Sequence, residues 1–170
     1  MQRRDVLMAA ASMSIMFAAQ TRAALATGAT AAEKSPHILV LWRDGQQGQR
    51  LELRGRVAGA AHKPLQGALV SVRHSGTDGG YTGQYEGEMT TNARGEYILR
   101  TALPGSYGRA LHIHVVVSHP SAGSEFTEIV FRGDKTLDHE SQQHGIVLET
   151  VRLNDVEVLV GNFDIVLGRQ

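Results

Sequence analysis

Cysteine is absent from all 170 residues. Its absence excludes disulfides, zinc–thiolate sites, thiol nucleophiles and lipid-modified cysteine anchors. Net charge is absent too, because 17 Lys and Arg balance 17 Asp and Glu. No run of basic residues extends beyond a pair, which argues against electrostatic capture of nucleic acid. No G-x-S-x-G stretch offers a serine-hydrolase nucleophile elbow. Beyond the first 26 residues no long segment carries helical periodicity and no internal repeat appears, which argues against helix bundles and solenoids. A metal in such a chain is left with His, Tyr, Asp or Glu as ligands, a donor set suited to hard, oxidised ions.

What is present begins with an address. "MQRRDVLM" sets Arg3 and Arg4 ahead of an apolar run from Val6 to Ala19. That run has the length of a signal h-region and falls short of the roughly 20 residues that span a bilayer. Ala24 to Ala26 supply small residues for cleavage. Residues 1–26 are expected to form a cleavable signal peptide. The arginine pair points to the twin-arginine route, although Val6 stands where that signal usually has Phe. The mature protein is then expected to be periplasmic or secreted, with no stable membrane insertion. Residues 27–49 read as linker and lead-in, and 50–170 as one domain with a core of its own.

Within that domain, short alternating runs are separated by Gly, Asn and Pro. They are "RLELRGRV" (Arg50 to Val57), "GALVSVRH" (Gly67 to His74), "GEYILRT" (Gly95 to Thr101), "LHIHVVVS" (Leu111 to Ser118), "FTEIVF" (Phe126 to Phe131), "GIVLETVRL" (Gly145 to Leu153) and "VEVLVGNFDIVL" (Val156 to Leu167). The pattern predicts an all-β domain, a β-sandwich or related barrel. Between two of the runs lies "HSGTDGGYTGQYEGEMTTN" (His74 to Asn92), a long Gly- and Thr-rich loop that holds Tyr81 and Tyr85. Loops of this length in compact domains are functional or disordered, and two tyrosines favour a loop packed against something.

One strand poses a chemical question. In "LHIHVVVS" residues 112 and 114 are both histidine, and residues i and i+2 of a strand share a face ~7 Å apart. Just ahead stand Tyr107 and Arg109, in "PGSYGRA". Taken singly, His112 and His114 fit a polar sheet face, Tyr107 a turn, Arg109 the surface and Tyr97 the core. His74, His119, His139 and His144 fit loops or strand ends.

Taken together and in order, the residues from about Gly55 to Asp134 resemble the intradiol ring-cleavage dioxygenases, the catechol and protocatechuate 3,4-dioxygenase group. The resemblance implies a non-haem Fe(III) centre held by Tyr81, Tyr107, His112 and His114, with Tyr81 and His112 equatorial and Tyr107 and His114 axial. Tyr85 is the competitor for the place of Tyr81. It further implies that a catechol-type ring is cleaved with O2 to a muconate-type diacid. Tyr107 would take one of the two catechol protons and Arg109 would stabilise negative charge on the ring. Glu128 and Tyr85 are expected to line the substrate pocket.

The match departs from the family's pattern in several places. Arg73 stands for a tryptophan, Gly76 for an asparagine and Glu128 for a glutamine, and the Tyr107–Arg109 spacing is short, which suggests an open site. Glu128 is expected to pair with Arg109 or stay protonated. The helical dimerisation domain of catechol 1,2-dioxygenases finds no room in the mature chain. A homo-oligomer or a partner subunit, as in protocatechuate-type enzymes, is compatible with what remains. The rival reading is a non-catalytic module: the stretch up to Tyr107 also resembles transthyretin-like and carboxypeptidase-regulatory sandwiches, which have no use for "RALHIH" or Tyr81.

Overall fold

Alternation of apolar and polar residues fixes which face of each strand is buried, and it builds two β-sheets around a shared core. The computed structural model describes residues 36–168; the expected signal peptide lies outside them. Ten strands are present among these residues: β1 (Ile38–Val40), β2 (Arg50–Ala58), β3 (Leu69–His74), β4 (Glu86–Thr90), β5 (Glu96–Ala102), β6 (His112–His119), β7 (Gly123–Val130), β8 (Glu149–Leu153), β9 (Val156–Asn162) and β10 (Ile165–Val166). The larger sheet runs β1-β5-β2-β9-β8, with β10 pairing β2; the smaller runs β4-β3-β6-β7. Leu51, Leu53 and Leu99 from the first and Val70, Val72, Ile113, Val115 and Val117 from the second form one buried cluster. The all-β expectation therefore holds.

Several boundaries differ from the reading of the chain, each for a physical reason. β1 lies inside the 27–49 lead-in, and its pairing with β5 in parallel register supplies what three residues cannot signal alone. β4, "EGEMT", lies in the long loop and has low intrinsic strand preference. It forms because β3 offers a free edge, Val72 and Val70 pairing with Gly87 and Met89. The run Gly145 to Leu153 enters β8 only at Glu149. Ahead of it, His139–His144 form a short helix, α1, whose first turn is capped by the Asp138 side chain accepting from Ser141 N at 2.7 Å. The last apolar run divides at Phe163 and Asp164 into β9 and β10. Among the described residues no helix is long and apolar enough to cross a membrane.

Tyr97 is core, as expected, 2% exposed with its hydroxyl donating to Phe163 O at 2.7 Å. His74 holds a strand end, as expected, yet it is buried at 2% exposure, which spacing did not reveal. Its Nδ1 donates to Ser75 O at 2.7 Å, so its Nε2 is left to accept from Thr101 Oγ1 at 2.8 Å on β5 of the other sheet. A buried neutral imidazole thus ties the two sheets together below the loops that follow β3 and β5.

Burial, the largest cause, pushes the His74 pKa down from 6.5 to about 4. Between those values the unfolded chain binds a proton that the folded one refuses, so stability is complete above pH 6.5 and declines as pH falls toward 4. Urea unfolding of the metal-free chain is expected to lose roughly 2–3 kcal/mol from this group between pH 7 and pH 4.5. His74→Gln, which cannot charge, should flatten that part of the profile; equal slopes for the two proteins would refute the assignment.

Candidate metal centre

The core-facing side chains of β6 decide where its histidines go. Ile113, Val115 and Val117 are each 1% exposed or less, so His112 and His114 stand on the opposite, outer face of the smaller sheet. Antiparallel register places Arg73 and Glu128 on either side of His114 in one row across that face. His74 pairs with Ile113, so the loop leaving β3 rises where β6 begins and carries Tyr81 over the histidines. The crossing from β5 to β6 brings Tyr107 and Arg109 to the same place.

Two glycines let these connections interlock. Gly105 N donates to Gly76 O at 2.8 Å and Ser75 Oγ donates to Gly105 O at 2.9 Å. A Cβ on Gly105 would lie 2.3 Å from Thr77 O and 2.6 Å from Gly79 N. Gly79 has φ +85°, and a Cβ there would lie 2.5 Å from Ser106 O. Only glycine permits both the left-handed turn and the close backbone approach.

Four donor atoms converge on one point. Tyr81 Oη lies 3.3 Å from Tyr107 Oη and 3.3 Å from His114 Nε2. Tyr107 Oη lies 3.1 Å from His112 Nε2, which lies 3.2 Å from His114 Nε2. The proton count in this ring is informative. His112 Nδ1 lies 2.7 Å from Ala110 O, and His114 Nδ1 lies 3.3 Å from Glu128 Oε1. The Ala110 carbonyl can only accept, so a neutral His112 carries its proton on Nδ1 and presents a lone pair at Nε2; the carboxylate beside His114 Nδ1 favours the same tautomer there. Phenol protons can serve the two O···N edges; in this tautomer pair the N···N edge has no proton. Two acceptors facing each other are unfavourable for protons and suited to a cation. Donors about 2.1 Å from one metal ion, at tetrahedral or right angles, lie roughly 3.0–3.4 Å apart, as these do.

Electrostatics agree with that arrangement. Burial and then the Tyr107 hydroxyl push Tyr81 up to about 12, so the metal-free site keeps this phenol protonated and only a strongly charged ion would release it. Burial, then the nearby His112, push His114 below its ordinary range, opposed by Glu128. A neutral ring is what a metal ligand must be. Arg73 sits with Cζ 5.0 Å from the centre of the Tyr81 ring, and the charges of Arg73 and Arg109 both favour the Tyr81 phenolate.

Two pocket expectations need correction. Tyr85 is 6% exposed, its ring centroid 4.8 Å from that of His74 and its hydroxyl on the Gln46 side chain. It anchors the loop from below and neither replaces Tyr81 nor lines the centre. Glu128 lies beside His114 rather than pairing with Arg109, its Oε1 3.3 Å from His114 Nδ1. The strand register that aligns it with His114 was not readable from spacing. His112, His114 and Glu128 do each place one possible ligand atom within 4.8 Å of the others. The expected openness is seen: Tyr81 and Tyr107 are 38% and 41% exposed.

A two-sheet sandwich with two phenols and two imidazoles meeting above one strand defines a class of candidate non-haem metal protein. Comparison with known proteins narrows it. A family model described as Dioxygenase matches residues 26–169. Chlorocatechol 1,2-dioxygenase of Pseudomonas putida is 28% identical over 149 residues, 71% of this chain and 57% of that protein. Among solved structures, the dioxygenase domain of a dioxygenase carbohydrate-binding protein fusion from the cellulolytic bacterium Streptomyces sp. SirexAA-E is 30% identical. It has a TM-score of 0.62 and coverage of 77% of this chain and 87% of that one. Catechol 1,2-dioxygenase from Pseudomonas arvilla C-1, at 24% identity, shares the fold with a TM-score of 0.68 over 77% of this chain and 56% of that one. The chain belongs to the intradiol ring-cleavage dioxygenase family. It spans about half the length of the curated relatives it matches.

Gly105→Ala tests the interlock. The added methyl must displace the Thr77 backbone, at a cost of about 1–3 kcal/mol, and separate the Tyr81 and Tyr107 loops. Retained iron after dialysis is expected to fall about tenfold or more with the far-ultraviolet circular dichroism unchanged. Undiminished iron would show that the loops hold their donors independently.

Proposed function

We propose that the chain is an exported Fe(III)-dependent intradiol dioxygenase that cleaves a catechol-type ring with O2 to a muconate-type diacid. The observation that carries this reading is the convergence of Tyr81, Tyr107, His112 and His114, with the two Nε2 atoms 3.2 Å apart. Phenolate and imidazole together suit a hard trivalent ion. When bound, ferric iron would draw electron density from a chelated catecholate and open it to attack by O2. The transthyretin-like alternative offers no reason for four such donors to meet.

The protein's own groups have separate tasks. Tyr81, His112 and His114 hold the centre. Tyr107 Oη, the more exposed phenol, takes one of the two protons a catechol must lose on binding. Arg109, on the exposed loop between Tyr107 and β6, supplies a fixed positive charge where the ring becomes electron-rich, as a preorganised cation can. Ala110 O holds His112 with its proton on Nδ1, and Glu128 favours the same tautomer in His114, leaving Nε2 free to ligate. Residues 1–26 are read as a twin-arginine leader, a route suited to a protein folded with its metal before export.

Iron-loaded protein is expected to be red, from tyrosinate-to-Fe(III) charge transfer. Tyr81→Phe and Tyr107→Phe should each weaken or shift that band, and His114→Ala should lower iron content. Catechol should consume O2 one for one without NADH. A colourless protein after iron loading, with no oxygen uptake, would return the chain to the binding-module reading. Glu128→Gln separates orientation from repulsion. If the carboxylate orients His114, the variant should bind iron about tenfold more weakly and shift the visible band, whereas relief of repulsion toward a catecholate predicts unchanged iron and faster turnover.

A further inference from the structure

Two neighbouring rows on the outer face of the smaller sheet differ in character. One holds Glu86, Arg73, His114 and Glu128; the next holds Glu88, Ser71, Val116 and Phe126. In the first, Arg73 is near Glu86 and Glu128 near the His114 ring, so each charged group has a polar neighbour. In the second, Ser71 Oγ donates to Glu88 at 2.9 Å, and the remaining cross-strand pair is bare. Val116 is 44% exposed and Phe126 59%. The solvent face of an antiparallel sheet is ordinarily polar, so an exposed Val–Phe pair needs a reason.

Its position supplies one. The Phe126 ring centroid lies 5.7 Å from that of His114, with the planes tilted by 30°, and Val116 follows His114 on the same face, ~7 Å along β6. The pair therefore abuts the open centre instead of standing apart from it. Tyr81 and Tyr107, also exposed, cover other sides of the centre. A ring seated against the four donors has an apolar step beside it, one residue pair wide, which is room for one further ring or a branched alkyl group.

We propose that Val116 and Phe126 form a second subsite that binds an apolar group carried by the catechol ring, so that the substrates are aryl- or alkyl-substituted catechols. This rests on the reading of the centre as a catechol-cleaving site. No cationic group lies in the Val116–Phe126 row to recognise an acidic substituent, and the gain comes from covering apolar surface, with a contribution from ring-on-ring contact to Phe126.

The test uses the full iron-loaded chain with 4-phenylcatechol, catechol and 3,4-dihydroxybenzoate. The wild type is expected to favour 4-phenylcatechol over catechol about tenfold in kcat/KM, chiefly through KM, with the benzoate poorest. Phe126→Ala should reduce the phenylcatechol-to-catechol ratio about fivefold or more, and Phe126→Leu should recover part of it. Anaerobic titration of the visible band gives the same ranking as dissociation constants, independent of turnover. A wild type that turns over catechol but shows no preference, or a ratio untouched by Phe126→Ala, overturns the subsite and leaves the ring-cleavage reading standing. An unchanged ratio with a change of mass in sedimentation overturns it too and makes this face an interface between copies. If no catechol shifts the band or is consumed, the centre's reading fails and the subsite with it.

Discussion

Two imidazole Nε2 atoms held 3.2 Å apart, each ring with an oxygen acceptor near its Nδ1, are the constraint from which the site follows. In the tautomers that Ala110 O and Glu128 favour, no proton lies between them. Buried or half-buried acceptors left facing each other cost free energy unless something positive lies between them. The fold accepts that cost at the start of β6, where its alternation otherwise yields a well-packed strand. A local arrangement unfavourable in the empty chain and favourable around a cation is the physical content of a preorganised metal site.

Preorganisation requires that four donors from three chain segments keep their places. The histidines are held by β6, whose other face is fully committed to the core. The tyrosines ride on loops, the less rigid choice, and the fold compensates by fastening those loops to each other. Gly105 N donates to Gly76 O, Ser75 reaches across to Gly105, and Tyr85 with His74 plugs the space below. His74 further links β3 to β5 through Thr101, joining the strands from which both loops depart. Stability of the core and placement of the phenols are therefore coupled through the same few residues.

Much of this was legible in the chain, because it rests on local pattern. Period-2 alternation locates β2, β3, β5 and β6, and it sets His112 and His114 on one face. Tyr81 and Tyr107 needed resemblance to a family, since nothing local shows that loops 26 residues apart in sequence meet. What escaped was non-local. β4 exists through pairing with β3 rather than through its own composition. The partner of Glu128 is set by the β6–β7 register, in which a one-residue slip would have turned it to the other face. Tyr85 and His74 look like loop and strand-end residues in the sequence, and only packing shows that they support the site from beneath.

The position of Glu128 also settles how charge is distributed around the centre. Two phenolates and a trivalent ion, on the proposed reading, leave one positive charge; a catecholate dianion, with Tyr107 taking up a proton, would bring the sum to zero. A carboxylate facing the ligand would add uncompensated negative charge. Glu128 instead lies on the Nδ1 side of His114, where it strengthens that ring as a donor. The two cations that influence the site, Arg73 and Arg109, both act on Tyr81 and His114. Negative charge thus sits behind the ligands, and the guanidinium groups oppose the charge that builds up among them. This distribution favours binding an electron-rich ring, and it is reached with surface-exposed arginines because the centre itself is open.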